Sequence, residues 1–312
     1  MKGGKDTSLK ITPYYLMSVA LKSISQVVLL ENPISGLIIL IAITIANYKL
    51  GIITLLSAII SVLVAHAAGG DKNIIEQGLF GYNSVLTGLA LLLLLDGNMR
   101  WIVALVGAAF ATIFTAAMMN FFKDLDTPVL TFPYIVLTWF VILASYHLEV
   151  LTITSSLVPQ DLSHWQLKIE GPVNLIGGLI AGIGQMYFQD KLLSGVLIIL
   201  AVFWANRKMG IYAVIGTAVS WIAAYALGGA HNVINMGLYG YNGVLTILAV
   251  SSVFDADKPF ALISGVAATI ITVPITAGIS TWLLPYGLPA LTMPFVVVTW
   301  IFVGARKILT KL

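Results

Sequence analysis

The sequence predicts an all-α integral membrane protein built from two inverted repeats, and three observations predict it. Only 29 of 312 side chains are charged (16 Lys and Arg plus 13 Asp and Glu), 59% of residues are hydrophobic, and the mean hydropathy is +0.99. That is far from the balance of a soluble domain. The charges fall in clumps, and the gaps between them are long enough for membrane crossings, which need about 20 apolar residues each. The chain also repeats itself: GLFGYNSVLTGLA over residues 78–90 and GLYGYNGVLTILA over 237–249 agree at ten of thirteen positions.

Taken in order, the first half offers apolar elements over 11–30, 34–46, 51–70, 77–95, 101–122 and 127–148, the last four without Asp, Glu, Lys or Arg. In the second half, 173–188 and 192–205 supply two more. The uncharged spans 209–254 and 259–305 are each long enough for two passes, divided at LGGAHN (227–232) and LPYGLP (284–289). Each half therefore carries about six hydrophobic elements.

The repetition extends well beyond the first phrase. At an offset of 159 residues Gln26 meets Gln185, Ser35-Gly36 meets Ser194-Gly195, Ala46-Asn47 meets Ala205-Asn206, Gly51 meets Gly210 and Asn73 meets Asn232. At 161, TPVLTFPY (127–134) meets LPALTMPF (288–295), and Thr138-Trp139 meets Thr299-Trp300. Membrane repeats with an odd number of crossings insert in opposite senses. Six elements satisfy that condition if one of them re-enters, giving five transmembrane helices and one re-entrant half-helix per half. Ten crossings then return both ends to one side, which Lys2, Lys5, Lys10, Arg306, Lys307 and Lys311 place in the cytoplasm. The expected organisation is a cytoplasmic tail (1–10), a first repeat (11–148), an extracellular polar linker (149–171), a second repeat (172–307) and a cytoplasmic tail (308–312). The polar start MKGGKDTSLK lacks the apolar stretch of a cleaved signal peptide, so the first apolar segment is expected to remain.

Several function classes recede. The few cations form no basic face, so no nucleic-acid partner is expected. With no cysteine and four histidines in no metal-ligand spacing, no metal and no cofactor is expected. No convergent nucleophile and base suggests an enzyme.

What remains is a set of repeated neutral polar positions in hydrocarbon. Proline-bracketed TPVLTFPY and LPALTMPF cannot be uninterrupted helix, because each proline lacks a donor and crowds the preceding turn. Broken helices survive at membrane depth when freed carbonyls face protein or a wet cavity. Thr131 and Thr292 lie between those prolines, where their hydroxyls and nearby main-chain oxygens form a column of acceptors, or else they sit in simple kinks. Gln26 and Gln185 serve as interhelical glue or offer their amides to a solute. Tyr82 and Tyr241 are packing aromatics or flat walls for a flat molecule; Leu86 and Leu245 follow on the same helical faces, four residues on. Ion-coupled carriers place charge inside the membrane, and the repeated phrases hold none. A small neutral solute is the match.

LPALTMPF reproduces the LPxxTxPF signature of the urea transporters, TPVLTFPY repeats it with departures at Thr127 and Tyr134, and NPISG (32–36) and the two GYN phrases also resemble that family. The resemblance spans nearly the whole chain outside the tails and linker. It implies inverted halves enclosing a central pore in each protomer, a homotrimer in the lipid of the cytoplasmic membrane, and passive passage of urea down its gradient. It further implies that Gln26, Val27, Leu29, Tyr82, Leu86 and Thr131 line one half of the pore and Gln185, Met186, Phe188, Tyr241, Leu245 and Thr292 the other. Leu29 stands where the resemblance implies an aromatic, which its mate Phe188 keeps, and Met186 differs from its mate Val27. The alternative is a channel or carrier for another small neutral solute, such as a short amide, ammonia or water.

Overall fold

The computed structural model describes residues 12–254 and 257–309. The expected tail 1–10 and its lysines, together with residues 310–312 of the second tail, lie outside the described residues. Fourteen α-helices occur among those described, seven in each half. The first half holds α1 (Pro13–Ser25), α2 (Pro33–Ala46), α3 (Tyr48–Ala67), α4 (Lys72–Glu76), α5 (Gly81–Leu94), α6 (Arg100–Lys123) and α7 (Phe132–Ala144). The second holds α8 (Leu175–Gly184), α9 (Leu192–Ala205), α10 (Arg207–Ala226), α11 (His231–Asn235), α12 (Gly240–Leu248), α13 (Ala261–Leu283) and α14 (Met293–Arg306).

The chain is an all-α membrane protein. Helices α3, α6, α10 and α13 are long and apolar enough to cross a membrane alone. The α1–α2 and α8–α9 pairs are each broken by a sharp bend, of 77° and 72°. Short 3₁₀ turns over Gln26–Val28 and Gln185–Tyr187 end α1 and α8, and Leu29 and Phe188 then take left-handed φ of 60° and 58° to turn the chain. The divisions expected at 227–232 and 284–289 both fall outside the long helices. The small α4 and α11, one per half, were not foreseen; each precedes the repeated phrase.

Many repeated residues have local jobs. Asn47 closes α2 and caps α3 with its side chain on the Lys49 amide at 3.0 Å, and Asn206 does the same between α9 and α10 on Met209 at 3.2 Å. An asparagine carbonyl satisfies amides that a helix start leaves open. Asn32 caps α2, with Pro33 at the first helical position, where a missing N–H costs nothing. Ser35 on α2 donates to the Ala201 carbonyl on α9 at 2.7 Å, and Ser194 on α9 donates to Ala42 on α2 at 3.0 Å. These reciprocal bonds tie the halves together, and the fully buried Tyr187 adds a third by donating to Ile24 at 2.7 Å.

The repeated phrases become the innermost helices. Thirteen of fourteen residues of α5 and eight of nine of α12 are buried. Gly78 and Gly237 open the phrases with φ of 76° and 71°, and a side chain on Gly237 would overlap the Gly182 backbone. Only glycine takes that conformation at that closeness freely.

The halves differ at the far ends of these helices. After α5, Leu95 and Asp96 form a two-residue strand antiparallel to Thr152–Ile153 of the linker. After α12 the helix widens into a π turn over Ala249–Val253, and Arg306 donates to the Val250 and Phe254 carbonyls at 2.9 and 2.7 Å. Arg306 was expected as a flanking cation, yet it is 2% exposed; its guanidinium donates to helix-end carbonyls and to the Ser264 hydroxyl. Lys22 and Glu31 pair at 2.7 Å.

Candidate functional site

Helices α7 and α14 begin deep in the molecule, and what precedes them is irregular. In both, the threonine stands at the residue before the helix without bonding its amides through the side chain, and proline sits in the first turn, its lack of an N–H harmless there. The residue before each threonine, Leu130 or Leu291, has a left-handed φ of 51° or 49°. Such a conformation is unfavourable for leucine, by about 1–3 kcal/mol, and persists only where surroundings enforce it.

The GYN phrase does the enforcing. Tyr82 donates to the Leu130 carbonyl at 2.9 Å, and the Asn83 amide nitrogen reaches the same oxygen at 3.2 Å. The Asn83 carbonyl oxygen accepts from the Tyr134 amide at 3.4 Å. In the second half Tyr241 and Asn242 bind the Leu291 carbonyl at 2.6 and 3.3 Å, and Asn242 accepts from the Phe295 amide at 3.3 Å. Tyrosine and asparagine appear twice because each broken segment needs a clamp on both sides of its threonine. Each half also holds the other: Trp139 donates to Pro289 at 2.8 Å and Trp300 donates to Pro128 at 2.7 Å. Phe122 and Phe132 pack around the Trp300 ring, with centroids 5.3 and 5.5 Å away.

These clamps bring the two threonines together. Their hydroxyl oxygens lie 2.6 Å apart, with both residues 3% exposed. A cavity of about 580 Å³ includes Thr131 in its wall, and one of about 1320 Å³ includes Thr292. The smaller is lined by Gln26, Val27, Leu29 and Tyr82 as well, and the larger by Gln185, Met186, Phe188 and Tyr241. Ten of the twelve residues picked from sequence thus gather in two chambers. Leu86 and Leu245 do not line either; they are 1% and 0% exposed in the buried core, one turn beyond the tyrosines. Gln26 also acts as glue, donating to the Gln77 carbonyl at 2.9 Å.

The expected column of free main-chain acceptors is narrower than the sequence suggested. A carbonyl oxygen has two lone pairs, and those of Leu130 and Leu291 are both taken by the tyrosine and asparagine. Charged groups bordering the chambers lie at exposed positions: Lys123 and Asp126 at the end of α6, and Asp161 and Lys168 in the linker. The linker forms part of the larger chamber's wall, pinned where the Gln160 amide donates to the Leu284 carbonyl at 3.2 Å. There the Ser163 hydroxyl and amide, and then the His164 ring, hold the Asp161 carboxyl below its ordinary value.

Sequence reasoning did not assign roles to Asn83, Asn242, Trp139, Trp300 or Tyr134. The two asparagines and two tryptophans stand at matched positions of the repeat, and Tyr134 is a departure from the family signature; those were the available signals.

Comparisons with known proteins identify the family. A family model described as urea transporter matches residues 17–307. The chain is 30% identical over 311 residues to urea transporter 1 of Ovis aries and, equally, to that of Capra hircus, covering 94% of this chain and 78% of each relative. Urea transporter 1 of Rattus norvegicus is 27% identical over 301 residues, with the same coverage.

Proposed function

The chain belongs to the urea transporter family, and from that premise we propose that it is a channel passing urea through the cytoplasmic membrane down its concentration gradient. One observation carries this reading: two chambers, with neutral polar, aromatic and apolar groups in their walls and charged groups at their exposed borders, face each other across a pair of hydroxyls 2.6 Å apart. A solute crossing that point exchanges the threonine-to-threonine bond for bonds to itself, so water lost on entry is replaced without a binding site too deep to leave. Tyr82 and Tyr241 offer flat faces to a planar amide, while Gln26 and Gln185 offer amides in the two chambers. The two halves run in opposite senses across the membrane, with both termini cytoplasmic, and three copies assemble around their own separate pores, as the family resemblance implies. No chemical step is involved.

Urea flux into proteoliposomes tests the mechanism. With identical salt and pH on both sides, flux is expected to rise in proportion to the urea gradient and to be unaffected by protonophore or by replacing sodium. Flux that requires a sodium or proton gradient would replace the channel with a coupled carrier.

A further inference from the structure

The constriction is not symmetric, and the asymmetry is one oxygen atom. Tyr134 and Phe295 occupy matched positions of the repeat, both 1% exposed. Phe295 presents only carbon to the smaller chamber. Tyr134 belongs to the first half but lines the larger chamber, and its hydroxyl oxygen accepts from Thr292 Oγ1 at 3.3 Å. Three hydroxyls therefore stand in a row: Thr131, Thr292, Tyr134.

Counting hydrogens decides what that row can do. A hydroxyl has one hydrogen. If Thr292 gives its hydrogen to Tyr134, Thr131 must give its own to Thr292, and the hydrogen of Tyr134 is left over on the side of the larger chamber. The other donors around this point are engaged: Tyr82 on Leu130, Tyr241 on Leu291, Trp139 on Pro289 and Trp300 on Pro128. A donor is scarce, and urea needs one for its carbonyl oxygen.

We propose that Tyr134 is a specificity-determining residue, whose phenolic O–H recognises the carbonyl oxygen of the solute at the threonine pair, from the larger chamber only. The assignment rests on the channel reading above. It predicts preference for planar amides with a good oxygen acceptor over solutes of similar shape with a poor one. Thiourea is the suitable probe, since sulfur accepts hydrogen bonds weakly.

The test compares wild type and Tyr134→Phe in proteoliposomes, measuring urea and thiourea permeability with the protein content of the vesicles matched. The variant removes one oxygen and leaves the ring that position 295 already carries, so the packing is kept. Urea permeability is expected to fall about three- to tenfold, the size of one net hydrogen bond, with thiourea changed less than about twofold. An unchanged urea-to-thiourea ratio, whether both fluxes hold or both fall together, would overturn the assignment while leaving the channel reading intact. Wild-type vesicles no more permeable to urea than empty ones would remove the channel reading and the assignment with it.

Discussion

At the scale of single residues, the site depends on a few side chains that hold unfavourable backbone in place. Leu130 and Leu291 sit at positive φ only because their carbonyls are gripped from α5 and α12. The asparagines matter more than the tyrosines, because each is fully buried and bonded at both ends, to a carbonyl before the threonine and an amide after it. Asn242→Leu strips both partners in a place water does not reach, and is expected to cost about 1–3 kcal/mol. Tyr241→Phe leaves the Leu291 oxygen still bonded to Asn242 and should cost about 1 kcal/mol or less. Thermal unfolding in detergent checks the order; a larger drop in Tm for Tyr241→Phe would contradict it. Much of this was visible as repetition before it was visible as chemistry. The GYN phrase advertised that polar groups were needed, but a one-dimensional pattern does not say that their partner lies 47 to 50 residues further on.

Among the elements, legibility followed the local rules. Proline and asparagine fix helix starts by short-range bonds, so the starts of α2 and α7 and the breaks between long helices could be read directly. The two-residue strands Leu95–Asp96 and Thr152–Ile153 are too short to show alternation, and the π turn at Ala249–Val253 depends on Arg306 arriving from a distant helix. Close helix approach runs through the glycines around Gly178 and Gly182, where a side chain would meet neighbouring helices. Its most demanding point is Gly237, where positive φ and the Gly182 backbone both forbid a side chain. Gly237→Ala should therefore sharply reduce the yield of folded protein. Gly278→Ala is the control: it lies in α13 with nothing within 4 Å of an added methyl, and helix propensity favours alanine by about 1 kcal/mol. Equal yields and equal Tm for the two variants would show that the approach of α8 to the Gly237 turn is looser than the structure has it.

For the whole molecule, the membrane class and the doubling were plain from charge spacing and internal repeats, whereas the inequality of the halves was legible only in part, at Leu29 against Phe188 and Met186 against Val27. The chambers measure about 580 and 1320 Å³, the linker stands in the wall of the larger, and at the constriction Tyr134 faces the larger chamber while Phe295 faces the smaller. The central claim is that the chambers make one path, closed to larger solutes only where Thr131 meets Thr292. The chain contains no cysteine, so a disulfide can be placed there without interference. The decisive measurement is urea flux through the Thr131→Cys, Thr292→Cys double variant before oxidation, after oxidation, and after reduction with dithiothreitol. The account predicts that oxidation abolishes flux and reduction restores it, with the single variants indifferent to both treatments. A cross-linked protein that still conducts urea at its reduced rate would contradict it.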